Sequence, residues 1–109
     1  MRSKRSDAVA NAATTPAASV NVRIPGLLRS YTAGAPEVRV EFAASGATLG
    51  GVLAALDASY PGMRFRIIDE QDAVRPHIKL FVDGTLARDL STPMRANGEL
   101  MIVGALSGG

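Results

Sequence analysis

The chain contains no cysteine and no tryptophan, and its one histidine is His77. The lack of cysteine removes disulfides, thiolate zinc sites, iron–sulfur ligation and cysteine nucleophiles together. A single histidine leaves no basis for a histidine-built metal centre or a Ser/His/Asp triad. Charge of one sign is also scarce. The formal net charge is +2, and Arg2, Lys4 and Arg5 against Asp7 supply it within the first seven residues. The rest of the chain carries nine basic and nine acidic residues. Nucleic-acid binding needs a concentrated basic face, so no nucleic-acid partner is expected. No apolar run approaches the ~20 residues that span a bilayer, so no membrane partner is expected and the expected location is cytoplasmic.

What is present is an ordinary soluble composition, 47% hydrophobic and 20% charged, in 109 residues. That length suits one domain around one hydrophobic core. Residues 1–18 are Ala, Ser, Thr and charge without apolar periodicity, and are expected to form a disordered tail. The tail starts basic like a secretory signal, but Asn11, Thr14, Thr15 and Pro16 interrupt any apolar region, so it is read as an uncleaved extension. The folded domain is expected over residues 19–109.

From Ser19 the pattern changes. Val20, Val22 and Ile24 alternate with Asn21 and Arg23, the period of a half-buried strand, and Pro25-Gly26 stops it. A loop carrying Leu27, Leu28, Arg29 and Tyr31 leads to a second alternating strand, in which Val38, Val40 and Phe42 alternate with Glu37, Arg39 and Glu41. The two read as a hairpin with a long connection. Thr48 is placed to N-cap a helix whose face is Leu49, Val52, Leu53, Leu56 and Tyr60. Gly50 and Gly51 weaken its first turn by up to about 1 kcal/mol each relative to Ala. Pro61-Gly62 ends it.

Met63 to Ile68 reads as a short helical turn and Asp69 to Pro76 as a charged loop. Its acidic cluster Asp69, Glu70 and Asp72 suits a solvated loop better than a hard-metal site. His77 to Asp83 reads as a strand with Ile78, Leu80 and Val82 on one face and His77, Lys79 and Phe81 on the other. Asp83-Gly84 is a tight-turn signal. A short edge strand over Thr85 to Leu90, a loop over Ser91 to Gly98 and a final strand over Glu99 to Val103 complete the order. With a helix after the first hairpin and a strand near the end, the fold class is α+β: a β-grasp, ubiquitin-like roll. Its mixed sheet has four to five strands, with one main helix across one face and the last strand parallel to the first.

The final strand, Leu100-Met101-Ile102-Val103, runs into Gly104-Ala105-Leu106-Ser107-Gly108-Gly109. Roughly six residues beyond Val103 extend about 20 Å, enough to place a terminal carboxylate in another protein's active site. Neither Gly108 nor Gly109 has a side chain to obstruct a narrow channel. The carboxylate of Gly109 is thus the candidate functional group; the alternative is that the two glycines are chance. The same alternation puts Phe81, Met101 and Val103 on the sheet face away from the helix, with Arg23 and Lys79 as a charged rim. These residues form a candidate docking patch, or else pack against the loop around Leu27 and Tyr31.

Over residues 19–109 the chain resembles the ThiS/MoaD family of ubiquitin-like sulfur carriers. The resemblance rests on Val22-Arg23-Ile24-Pro25-Gly26-Leu27-Leu28-Arg29, on Thr48-Leu49-Gly50-Gly51-Val52-Leu53, on Ile78-Lys79-Leu80-Phe81-Val82-Asp83-Gly84, and on the closing Gly108-Gly109. It implies a carrier with no bound cofactor and no catalytic residue of its own. A MoeB/ThiF-like adenylating enzyme would use ATP to activate the carboxylate of Gly109, with Gly108 beside it. A sulfur donor would then convert it to a thiocarboxylate for a sulfur-accepting synthase. Phe81, Met101, Val103, Arg23, Lys79 and Leu106 would meet the partners. The stretch from Ile24 to Gly34 and the charged insertion from Asp69 to Pro76 are similar to carriers used in cysteine biosynthesis. Molybdopterin synthase small subunits come second and thiamine-pathway carriers third. Two other functions remain open: a protein modifier joined to lysines through Gly109, and a β-grasp module that binds partners without covalent chemistry.

Overall fold

The structure is a computed structural model and describes residues 17–43 and 47–104. In chain order the elements are β1 (Ala17–Arg23), a 3-10 helix (Gly26–Thr32), β2 (Glu37–Ala43), α1 (Leu49–Ser59), α2 (Met63–Ile67), β3 (Ile78–Val82), β4 (Thr85–Ala87) and β5 (Glu99–Gly104). The five strands form one sheet in the order β2-β1-β5-β3-β4. β1 and β2 form the expected antiparallel hairpin, with Val22 opposite Val38. β5 runs parallel to β1, pairing Val22 with Leu100, and antiparallel to β3, pairing Leu80 with Ile102. The last strand therefore lies at the sheet centre. This is the β-grasp roll.

Alternation decides which side chains are buried. Val20, Val22, Leu80, Leu100 and Ile102 face α1 and are almost fully buried. From α1 they meet Leu49, Val52, Leu53 and Leu56, the i, i+3, i+4, i+7 set that one helix face presents. Truncating one of these leucines to Ala costs about 2–5 kcal/mol, because the lost transfer energy adds to an unfilled cavity. Tyr60 lies just past the helix as its C-cap and is only half-buried. On the edge strand β2 only Val40 is fully buried.

The caps of α1 are both local and distant. The Thr48 hydroxyl accepts the Gly51 N–H at 3.2 Å, as expected of an N-cap. The Leu49 and Gly50 N–H groups, which no helical turn can satisfy, donate instead to the carbonyls of Thr92 and Leu90, each at 2.8 Å. Leu90 approaches so closely that a Cβ on Gly50 would stand 3.3 Å from both its Cβ and its carbonyl oxygen. Gly50 is there to admit that loop. Gly51 has no such neighbour, since its nearest contact would be Thr48 Oγ1 at 3.6 Å.

Several element boundaries move relative to the sequence reading. β1 begins at Ala17, two residues before the expected domain start. The segment read as a loop after Pro25 is a 3-10 helix that buries Leu28 and Thr32. The edge strand stops at Ala87, because the chain then turns away to reach the start of α1. His77 precedes β3, and it lines a pocket with Leu28 and Tyr31 instead of sharing the face of Lys79 and Phe81.

Candidate functional site

The sheet face away from α1 is organised by strand register. Glu37 lies opposite Arg23, Arg23 opposite Met101, Met101 opposite Phe81, and Phe81 opposite Leu86. One row of side chains therefore crosses all five strands, charged on the β2 side and apolar on the β4 side. Lys79 and Val103 pair in the adjacent row, toward the end of β5 from which residues 105–109 follow. Phe81 and Met101 are half-buried, Val103 is 38% exposed and Leu86 40% exposed. The expected residues Arg23, Lys79, Phe81, Met101 and Val103 are thus brought together on one face.

Leu86 was missed by the sequence reading. The signal was available: a two-residue Asp83-Gly84 turn makes Val82 and Thr85 partners, and so places Leu86 opposite Phe81. Both turn residues have positive φ, 50° and 86°, as such a turn requires.

Of the loop around Leu27 and Tyr31, Pro25 and Arg29 border this face, while Leu27 and Tyr31 themselves turn elsewhere. Leu27 lies against Gly104 and Ile78, on the α1 side of the sheet. The Tyr31 hydroxyl accepts a bond from Arg66 Nε at 2.7 Å. A shallow groove of about 380 Å3 runs between Pro25, Arg29 and Pro36 on one side and Met101 and Val103 on the other. Arg23 pairs with Glu99 at 3.4 Å across the strand boundary. At this exposure such a pair contributes at most about 1 kcal/mol.

The origin of β5 is fixed by a carboxylate. Asp83 accepts the Glu99 backbone N–H at 2.9 Å and the Arg95 Nε–H at 3.0 Å. These contacts, the backbone bond first, hold its carboxyl below the usual carboxylate range. Gly98 fits beneath it, because a Cβ there would sit 3.0 Å from the Asp83 oxygen. The Asn21 N–H then donates to Gly98 at 3.0 Å, tying β1 to the same corner.

Gly108, Gly109 and Leu106 lie outside the described residues. Of the acidic loop cluster, Asp69 accepts N–H bonds from Gln71 and Ala73, and Asp72 pairs with Arg64 at 3.3 Å. Among the described residues no group of three His, Cys, Asp or Glu is placed to hold a metal ion. Among them, too, no helix is long and apolar enough to cross a membrane.

Known proteins are similar to this chain in sequence and in fold. The sulfur carrier protein CysO of Mycobacterium tuberculosis is 32% identical over 96 residues, spanning 84% of this chain and 99% of its own. A chain of the Amycolatopsis orientalis BexX/CysO complex superposes with a TM-score of 0.71 at 25% identity, covering 83% of this chain and 99% of that one. SAMP1 from Haloferax volcanii superposes at 0.68 and 27% identity, covering 84% and 99%. The ThiS family model matches residues 22–109, which takes in β1 from Val22, the sheet and helices built on it, and the two final glycines. By that match and by its fold, this chain belongs to the ThiS family.

Proposed function

We propose that this chain is a sulfur carrier that works through the carboxylate of Gly109. The observation that carries the reading is the family match over residues 22–109, which includes Gly108 and Gly109. The similarity to CysO sulfur carriers along 84% of the chain supports it. A carboxylate is a poor electrophile. A partner enzyme would join it to AMP from ATP, releasing pyrophosphate. Sulfide from a donor would then displace AMP, leaving a thiocarboxylate that can attack an acceptor. The chain supplies the reacting group and its placement; the partner supplies acid, base and nucleotide binding.

Geometry supports this division. β5 is held between β1 and β3, so the root of the tail is as firmly placed as any part of the sheet. The five residues after Gly104 span at most about 17 Å, the reach of a buried active site. Phe81, Met101, Val103 and Leu86, rimmed by Arg23 and Lys79, form the surface that meets the adenylating enzyme, and Leu106 is assigned to the same contact. Cysteine formation is the pathway we assign first, on the likeness to CysO, and molybdopterin synthesis second.

The likeness to SAMP1, a small archaeal modifier protein, favours one other fate. In that fate the activated Gly109 is joined to lysines of target proteins. Intact mass of the chain purified under sulfide-free conditions separates the readings. One sulfur-for-oxygen exchange on the C-terminal peptide is expected for the carrier. Isopeptide-linked Gly109 on other proteins, without that exchange, would mean the modifier. A terminus that stays unmodified with ATP, sulfide and adenylating enzyme would reject both.

A further inference from the structure

The described residues build a second recess, on the α1 side of the sheet. It has a volume of about 390 Å3 and includes Leu27, Tyr31, Phe65, Arg66, Arg75 and His77. Its walls come from the 3-10 helix, from α2 and from the segment entering β3. On α2, Met63 and Ile67 point into the core, which turns Phe65 outward; its side chain is 55% exposed. The ring thereby joins the two arginines in the wall of the recess.

Both arginines are preset. Arg66 donates its Nε–H to the Tyr31 hydroxyl at 2.7 Å. Arg75 donates its Nε–H to the Phe65 carbonyl at 2.6 Å, its guanidinium 4.5 Å from the Phe65 ring centroid. With Nε engaged, each guanidinium keeps its two terminal nitrogens, the end-on fork that grips a carboxylate. Among the described residues neither arginine has a carboxylate within 4 Å. Asp69 is turned into its own loop, where the Ala73 and Gln71 N–H groups, with a weaker electrostatic pull from Arg75, hold its carboxyl below the usual range. Tyr31 is itself buttressed, with the Gly62 turn against its ring edge.

We propose that this recess is a docking site for an acidic segment of a partner protein. A carboxylate side chain bridges the forks of Arg66 and Arg75, and a neighbouring apolar side chain packs on Phe65 and Leu27. Charge complementarity selects this occupant: among the described residues two guanidinium groups with no carboxylate in contact, an imidazole and a hydroxyl line the recess, and no acid does. Exposed aromatic and arginine side chains in one pocket are also the residue types that dominate protein–protein binding energy. Because His77 adjoins Ile78, which pairs with Gly104, an occupant would sit beside the last residue of β5. The proposal involves none of residues 105–109 and stands independently of the carrier chemistry.

The test is a 1H–15N NMR titration of the full chain with an acetylated, amidated peptide of alternating glutamate and leucine, at low salt. Shifts centred on the amides of Tyr31, Phe65, Arg66 and His77 are expected. Affinity should fall about tenfold when glutamine replaces glutamate in the peptide, and by a similar factor in Arg66→Gln or Arg75→Gln, the scale of one charge-assisted bond. Phe65→Ser, an exposed substitution that spares the core, should weaken the leucine peptide but not an alanine counterpart. Equal binding of the glutamine peptide, shifts confined to Phe81 and Met101, or no binding would each overturn the proposal. So would a single-stranded oligonucleotide that displaces the peptide from these residues.

Discussion

Leu27 occupies the space that a Cβ on Gly104 would need: the added atom would overlap the leucine's Cδ2 and stand 3.2 Å from its Cγ. This contact packs the 3-10 helix onto the last residue of β5, at the root of the tail. Leu27 is 37% exposed, so it can swing toward solvent. Gly104→Ala is therefore expected to cost only about 1 kcal/mol, at the low end for overpacking. In a Leu27→Ala background that penalty should nearly vanish. Denaturant unfolding of the four proteins gives the cycle, and an equal penalty in both backgrounds would place the strain elsewhere.

Gly50 and Gly51 are adjacent in α1 but should answer oppositely to the same substitution. Gly51→Ala adds a methyl in open contact and gains helix propensity, up to about 1 kcal/mol. Gly50→Ala gains the same propensity but presses on Leu90, whose carbonyl cannot retreat without losing its 2.8 Å bond from the Gly50 N–H. Thermal unfolding should show Gly51→Ala raising Tm and Gly50→Ala leaving it unchanged or lower. A clear rise for Gly50→Ala would mean that the loop at Leu90 yields freely.

Asp83 makes stability depend on pH. Its carboxyl is depressed in the folded state, chiefly by the Glu99 N–H and then by Arg95. A depressed carboxylate contributes fully above its unfolded value, about 4, and loses the contribution as pH falls through the lower folded value. Asp83→Asn should therefore be less stable by about 1–2 kcal/mol at neutral pH, the scale of a charge-assisted bond. The gap to wild type should close in acid below pH 4. A gap independent of pH would assign the loss to packing.

These contacts also mark what the sequence could and could not reveal. Short-period patterns were legible: alternation in Val20-Asn21-Val22, in Ile78 to Val82 and in Leu100 to Ile102 gave strands and faces, and the 49, 52, 53, 56 spacing gave the buried side of α1. The Asp83-Gly84 turn was legible because only a few residue types accept its backbone angles. The 3-10 helix was not, since Gly26–Thr32 carries no repeating apolar stripe, and the burial of Leu28 in the shared core emerges only in the fold. The role of Gly50 was likewise hidden, because Leu90 is forty positions away in sequence and meets it only in the fold. The recess at Tyr31 depends on one turn of helix facing Phe65 outward, a length too short for periodicity to register.

If Gly109 is the activated group, its position along the tail matters as much as its identity. One residue appended after Gly109 moves the carboxylate by about 3.5 Å. That exceeds the tolerance for attack on a nucleotide phosphorus held by the partner. ATP-dependent pyrophosphate release with an adenylating enzyme should fall to background for the extended chain, while its unfolding curve stays that of wild type. Retained activation would detach the chemistry from Gly109.

The open sheet face makes the complementary prediction. Phe81 and Met101 are neighbours across the β3–β5 ladder, half-buried, and neither Leu27 nor Tyr31 lines the groove beside Met101. Phe81→Glu or Met101→Glu should place a charge in water on the free chain, within about 1 kcal/mol of wild-type stability. In the proposed complex with an adenylating enzyme the same charge is desolvated against an apolar surface, and activation should fall by about tenfold or more. Leu86→Glu, opposite Phe81, should behave alike if the partner covers the whole apolar end of the row, and should be silent if contact stops at β3. Activation rates and unfolding midpoints measured on the three variants distinguish these outcomes. A loss of several kcal/mol in Phe81→Glu, with activation per folded molecule unchanged, would make the row a structural feature of the sheet and leave the tail alone to recruit the enzyme.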